Sequence, residues 1–130
     1  MKSMLLREIT QLPQNPTPLT FSEIPEPTLE AGEVLLRVTA CGVCHTELDE
    51  IEGRTPPPRL PVVLGHQVVG IVESSGDLSR PVTTEVVTTG QCVGVAWIAS
   101  ACGECDFCKS GRENLCPQFK ATGRDVDGGY

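Results

Sequence analysis

Four cysteines near residue 110 constrain this chain more than any other feature, because they follow the pattern C-x2-C-x2-C-x7-C. They are Cys102, Cys105, Cys108 and Cys116. The apolar pattern of the chain stops over residues 101–117, so this segment has almost no hydrophobic core of its own. Four thiolates complete the tetrahedral shell that zinc prefers in structural sites, and the bound metal stabilises a fold that lacks a core. The spacing therefore predicts a structural zinc in a loop excursion at 101–117.

Two other uses of these cysteines compete with zinc binding. Disulfides need an oxidising compartment, and the segment Met1–Thr10 contains no signal-peptide hydrophobic region. An iron–sulfur cluster fits the cysteine pattern better than disulfides do, because a Cys-Pro pair ends the run as it does in bacterial ferredoxins. That ferredoxin run has three residues before its last cysteine, which serves a second cluster, and this chain contains no second triplet. Zinc is the interpretation that uses all four ligands.

The rest of the chain has the composition of a small β-rich domain. Its 130 residues suit one domain, and with 39% apolar but only 4% aromatic residues the core must be aliphatic. Thirteen Gly and eleven Pro predict many turns between short strands. Cys44, Leu48 and Ile51 share one face of a short helix that ends near Gly53. Strands are predicted at 4–9, 19–24, 33–40, 62–73 with a break at Gly65-His66, 83–88 and 92–98.

Charge and hydropathy bear on partners and location. The formal net charge is −7 and no two basic residues are adjacent, which argues against a nucleic-acid partner. No apolar run approaches the ~20 residues that a membrane-spanning helix needs. We therefore expect no nucleic acid, no membrane and a cytoplasmic location.

A second metal site is suggested by Cys44 and His66, but spacing alone leaves it open. A buried cysteine behaves as a small hydrophobe, and a lone histidine is commonly a satisfied core residue. A catalytic zinc needs three protein ligands, and these two do not make a site.

Three motifs in register resemble the zinc-dependent medium-chain alcohol dehydrogenases: Cys41-Gly-Val-Cys44-His-Thr46, Gly65-His66 and the four-cysteine run. The resemblance extends from the turn at Gly32 to Tyr130. It implies a GroES-like, partly open β-barrel over residues 1–130, with one short helix and the zinc-binding excursion. It also implies an alcohol or carbonyl substrate, and NAD or NADP bound by a separate Rossmann domain.

The resemblance assigns roles residue by residue. Cys44 and His66 match two ligands of a catalytic zinc, and Thr46 matches the hydroxyl that passes the substrate proton outward. His45 matches a residue near the cofactor pyrophosphate. Trp97 matches a wall of the alcohol pocket, and a core aromatic is nearly as good an explanation of this residue. Cys41 and Cys92 match no ligand position, so we expect small core residues there.

The sequence departs from the family pattern in several respects. It contains no third catalytic-zinc ligand at the expected place and no G-x-G-x-x-G dinucleotide motif, so we expect the chain alone to be an inactive part of a longer enzyme. Gln67 stands where the family mostly has Glu beside the zinc histidine, a position that tunes the metal. Asp49 stands where many relatives have a His that ends the proton relay.

Two functional hypotheses follow. The first is the catalytic-domain part of a zinc-dependent alcohol dehydrogenase, and the alternative is a non-catalytic, zinc-stabilised binding module derived from that domain. In either case missing strands would leave open sheet edges, so we expect a homo-oligomer.

Overall fold

The architecture is mainly β with one principal helix, as the sequence predicts. A computed structural model of the chain describes residues 1–30, 32–75 and 87–130. In these residues we find eight strands, two helices and a 3₁₀ turn at Glu113–Leu115. The strands are β1 Lys2–Leu6, β2 Leu19–Glu23, β3 Val34–Gly42, β4 Val62–Val63, β5 Gln67–Ser75, β6 Cys92–Gly94, β7 Ile98–Ser100 and β8 Lys120–Ala121; the helices are α1 His45–Ile51 and α2 Asp106–Lys109. No helix in the described ranges is long and apolar enough to cross a membrane.

The strands form three antiparallel sheets, in the orders β2-β1-β4, β3-β5-β6 and β7-β8. The long β3–β5 pair carries register shifts between Leu35 and Leu36 and between Val38 and Ala40, and such bulges bend and twist a sheet. Within the described residues the sheets do not close into one ring. This agrees with the partly open barrel predicted from the sequence.

The core is small and aliphatic and lies between α1 and the β2-β1-β4 sheet. Leu6 from β1, Val62 from β4, Leu64 and Ile51 from α1 are buried and form one cluster. Burying a side chain of this kind contributes about 1.5–3 kcal/mol. Leu12, Leu19 and Tyr130 pack around the cluster. The helix contributes Ile51 to this core, and its N-terminal turn forms part of the site described below.

Gly65 separates β4 from β5 and sets the position of His66. Its φ is +93°, a left-handed conformation that glycine adopts without strain. A Cβ there would lie 2.5 Å from Cδ1 of Tyr130 and 2.7 Å from Sγ of Cys41. The C-terminal segment is tied to the same turn, because Tyr130 N–H donates to Leu64 O at 3.1 Å. Close packing and backbone conformation both require glycine here.

Three details differ from the sequence prediction. The stretch predicted as one strand at 92–98 is two, β6 and β7, because Trp97 O turns away to accept Thr122 N–H at 2.9 Å. Strand β1 ends at Leu6, where its partner β2 begins at Leu19. Cys92 is exposed, so the expectation that it is a core residue is wrong. The strand predicted at 83–88 lies largely outside the described residues.

Candidate metal centres

The first centre is built on the N-terminus of α1. Cys44 caps the helix, and its Sγ accepts a hydrogen bond from Thr46 N–H at 3.4 Å. Glu47 closes the reciprocal half of this capping box, since its Oε2 accepts Cys44 N–H at 2.8 Å. Glu47 is 1% exposed, and a carboxylate is almost never buried so completely unless it is paired. The cap therefore fixes the Cys44 sulfur and a buried acid side by side.

His66 approaches both residues from the turn after Gly65. Its Nε2 lies 3.6 Å from Cys44 Sγ, and its Nδ1 lies 2.8 Å from Glu47 Oε1. The second contact is close in distance but lies outside hydrogen-bond geometry, so it is an electrostatic contact. Cys44, Glu47 and His66 together offer ligand atoms within 4.8 Å of one another.

These distances fit zinc. Ligands of a tetrahedral zinc, at about 2.3 Å for sulfur and 2.0–2.1 Å for nitrogen, lie roughly 3.6 Å apart. That is the separation of Cys44 Sγ from His66 Nε2. Glu47 beside the other imidazole nitrogen would favour a proton on Nδ1 and leave Nε2 to the ion, the arrangement that carboxylates behind zinc histidines produce. The sulfur and Nε2 could hold the ion, with Glu47 behind them.

Sequence reasoning missed Glu47. The available signal was an acid at the third helical position after an N-capping residue, in Cys44-His-Thr-Glu47. That signal indicates a cap only. The contact of Glu47 with His66 depends on how two distant segments pack.

His45 and Asp49 lie on the outer side of α1, one turn apart. His45 is largely exposed, and its Nδ1 is 3.3 Å from Asp49 Oδ1. Arg54 pairs with both Asp49 and Glu52. The hydrogen bond from the Arg54 guanidinium, more than the contact with His45, holds the pKa of Asp49 below its usual range. Asp49 is thus an ionised partner of Arg54 and a weak proton acceptor near neutral pH.

Gln67 and Trp97 occupy different surroundings. Gln67 begins β5 and is exposed, with its Oε1 close over Gly42. Trp97 precedes β7 and is 43% exposed; its ring lies 6.3 Å from the His66 ring and 5.2 Å from Phe119, between centroids. Trp97 is therefore an open aromatic face beside His66 and not a core residue.

Glu50, one turn along α1 from Glu47, is a second buried carboxylate. It is fully buried, and within the described residues neither of its oxygens has a hydrogen-bond partner. Burial, and then the neighbouring charge of Glu47, raises the pKa of Glu50 to about 7, while Arg124 acts in the opposite direction. The inner face of the helix therefore carries two acids with little compensation.

The second centre is the four-cysteine lobe. All four sulfurs lie within 4.8 Å of one another, with Sγ–Sγ distances of 3.5 Å for the Cys102–Cys116 pair, 3.6 Å for Cys105–Cys108 and 3.9 Å for Cys102–Cys108. Sulfurs on a tetrahedral zinc at about 2.3 Å are roughly 3.8 Å apart, so this set fits the ion as well. The lobe reaches this geometry with a single-turn helix, α2, and the 3₁₀ turn.

Backbone donors prepare the lobe for a metal. The N–H groups of Glu104 and Cys105 lower the pKa of Cys102 to about 6, and the Cys105 N–H lies 3.4 Å from the Cys102 sulfur. Desolvation among the other sulfurs raises the pKa of Cys108 to about 12. Zinc binding must therefore displace a proton from Cys108, and protons compete with the ion as the pH falls.

Comparison with known proteins identifies the family of the chain. Residues 30–130 match the family model described as the alcohol dehydrogenase GroES-like domain. The chain belongs to this family. Over 114 residues, 87% of the chain, it is 46% identical to an alcohol dehydrogenase of Geobacillus stearothermophilus, covering 32% of that protein.

Several solved structures superpose closely on the chain. The crystal structure of AibC matches with a TM-score of 0.84 at 33% identity, covering 100% of this chain and 34% of that one. A cobalt- and zinc-bound thermostable alcohol dehydrogenase from Pyrobaculum aerophilum matches with a TM-score of 0.80 at 26% identity, covering 100% and 37%. The chain spans about a third of the length of each of these three proteins.

Proposed function

We propose that this chain is the catalytic-domain part of a zinc-dependent alcohol dehydrogenase. The reaction would oxidise an alcohol to an aldehyde or ketone, with hydride transfer from the alcohol carbon to NAD or NADP held by a Rossmann domain. The observation that carries the proposal is the 3.6 Å separation of Cys44 Sγ from His66 Nε2, with Glu47 behind the imidazole. The match to the alcohol dehydrogenase GroES-like domain supports the same reaction class.

The proposed roles of the site residues follow from their chemistry. Zinc bound by Cys44 and His66, with a third ligand from elsewhere, would supply a Lewis acid that polarises the substrate oxygen. Glu47 keeps Nδ1 of His66 facing inward, so Nε2 stays available for the ion. The open face of Trp97 forms one wall of the substrate pocket.

Proton release would begin at Thr46, because its hydroxyl can both accept and donate a hydrogen bond. Thr46 lies two residues after Cys44, on the half-buried first turn of α1. Asp49, the residue one turn further on, is held ionised by Arg54. A group with a lowered pKa accepts the relayed proton poorly near neutral pH. We therefore propose that the proton leaves from Thr46 to solvent and that Asp49 orients His45 near the cofactor pyrophosphate.

A chimera tests this proposal. The homologous third of the Geobacillus alcohol dehydrogenase would be replaced by this chain, and alcohol-dependent reduction of NAD and of NADP would be followed by absorbance. We expect turnover in the chimera, and loss of at least about a thousandfold with Cys44→Ser, because one ligand of the proposed catalytic zinc is removed. Cys92→Ser, an exposed cysteine outside both clusters, is the matched control.

Metal counting separates the proposal from the non-catalytic binding module. A folded chimera that holds two zinc ions per chain yet shows no turnover would contradict the dehydrogenase. A single zinc per chain, lost with Cys105→Ser and unaffected by Cys44→Ser, would support the binding module.

Assembly and location are also proposals. We propose a homo-oligomer, which the exposed apolar side chains of Phe21, Val38 and Val69 on the sheets support. We also propose that the protein is located in the cytoplasm. Sedimentation at several concentrations tests the oligomer, and a monomer at every concentration would contradict it.

A further inference from the structure

An aromatic contact joins the cysteine lobe to the Cys44–His66 centre. The ring of Trp97 lies between His66, at 6.3 Å, and Phe119, at 5.2 Å between centroids. The two interplanar angles are 57° and 58°, within the tilted arrangements that aromatic rings favour. Phe119 belongs to the segment that leaves the lobe. One side of the Trp97 ring is therefore supported by the lobe and another part faces His66.

The main chain around Trp97 is held by the same outgoing segment. Thr122 N–H donates to Trp97 O at 2.9 Å, and the Thr122 hydroxyl donates to Ala96 O at 3.1 Å. Strand β7, directly after Trp97, pairs with β8, directly after Phe119. Backbone and ring of Trp97 thus depend on where the segment 119–122 lies.

The lobe cysteines close the base of these two strands. Cys102 follows β7, and Cys116 precedes Phe119 by three residues. Their sulfurs are 3.5 Å apart, and Phe119 N–H donates to Cys116 O at 3.0 Å. A zinc ion on this pair would fix the separation of the two strands at their base. Without it, only the β7–β8 pairing and the hydrogen bonds of Thr122 would hold Phe119 against Trp97.

We propose that Phe119 is a positioning residue that couples zinc occupancy of the cysteine lobe to the orientation of Trp97 beside His66. The lobe would then shape the pocket as well as stabilise the fold. The coupling does not depend on the reaction; only the identity of the pocket's ligand, an alcohol, rests on the proposed function.

Trp97 is the only tryptophan in the chain, so its fluorescence reports the coupling directly. The 130-residue chain would carry Cys44→Ser, so that zinc addition and chelation act on the lobe alone. Emission and acrylamide quenching of Trp97 would be measured with the lobe loaded and stripped. We expect stripping to shift the emission to longer wavelength and to raise quenching about twofold or more, since a ring that loses an aromatic neighbour becomes more accessible.

Three further variants test the role of the Phe119 ring. Phe119→Leu should abolish most of the zinc response while still binding lobe zinc, and Phe119→Tyr, which keeps the ring, should retain the response. Phe107→Leu is the matched control, because Phe107 is also in the lobe but stacks with Arg112 at 5.4 Å. Its response should equal that of the parent chain.

Two results would overturn the coupling. One is a Phe119→Leu response as large as that of Phe107→Leu. The other is loss of the far-ultraviolet strand signal on stripping, because the emission shift would then report global unfolding. The readout uses neither alcohol nor nicotinamide, so an inactive chimera with intact coupling would refute the proposed function alone, and the reverse pattern would refute the coupling alone.

Discussion

The two candidate metal centres are assembled in opposite ways. The cysteine lobe draws its four sulfurs from 15 consecutive residues, 102–116, and most of its residues are exposed or half-buried. The other centre combines one end of α1 with a turn that lies between β4 and β5, and its acid, Glu47, is buried. The first centre is local in sequence, and the second exists only once the sheet and helix have packed.

The difference has an energetic consequence. The lobe lacks a core, so the metal must supply much of its stability. The Cys44–His66 centre rests on the aliphatic core of Leu6, Ile51, Val62 and Leu64, and it carries two buried carboxylates that weaken the fold. The cysteine lobe thus depends on its metal to fold. The Cys44–His66 centre is instead formed by packing that does not require a metal.

The largest expected effect is on the lobe. Cys105→Ser removes one of four thiolates and should weaken lobe zinc by about a thousandfold or more, because each zinc–thiolate bond contributes to a binding energy on the order of 10 kcal/mol. Zinc titration against a chromophoric chelator measures the loss. Cys92→Ser should leave the affinity unchanged. An unchanged zinc affinity of the lobe in Cys105→Ser would contradict the claim that all four thiolates hold the metal on which the lobe depends.

Glu47→Gln tests whether the second centre is prepared by its buried acid. The amide keeps the size of the side chain but loses the charge that faces Nδ1 of His66. We expect cobalt or zinc affinity at Cys44–His66 to fall about 10- to 100-fold, with lobe affinity unchanged. Cobalt absorption in the Cys105→Ser background isolates this site. Glu113→Gln, which removes an exposed acid of the lobe, is the control; equal affinities in the two variants would show that Glu47 is only a helix cap.

The smallest effect is expected at Glu50, whose pKa is raised to about 7 by burial and by Glu47. The folded state then binds more protons than the unfolded state between about pH 4.5 and 7, so stability falls as the pH rises through this range. Glu50→Gln removes the ionisation. The variant should gain stability over the parent chain on going from pH 5 to pH 8, by on the order of 2 kcal/mol.

Urea unfolding of both chains at each pH measures this gain. Asp125, Asp49 and Glu47 are the acids and Arg124 the base that face Glu50, and all are present in both chains. A stability difference that does not change with pH would mean that Glu50 finds a compensating charge, and the second centre would then lose its energetic contrast with the lobe.

Particular residues show how much of the fold and of the candidate sites could be predicted from the sequence. Spacing alone predicted that Cys102, Cys105, Cys108 and Cys116 act together, because short C-x-x-C steps force the sulfurs into proximity. The mainly β fold and the break at Gly65 were also predicted and are confirmed. Glu47 and Phe119 were missed, since each matters through a contact with a residue remote in the chain. The separation of β6 from β7 was missed for the same reason.

The amino-acid sequence by itself determined the local features: the cysteine lobe, the capped start of α1 and the aliphatic strands, which follow from short-range geometry and burial. Only the tertiary structure decided that Cys44 Sγ meets His66 Nε2, that a buried Glu47 stands behind the imidazole, and that Trp97 bridges the lobe and this centre. The physical reason is that these contacts join segments whose separation is fixed by sheet pairing and core packing, and no local propensity encodes that separation.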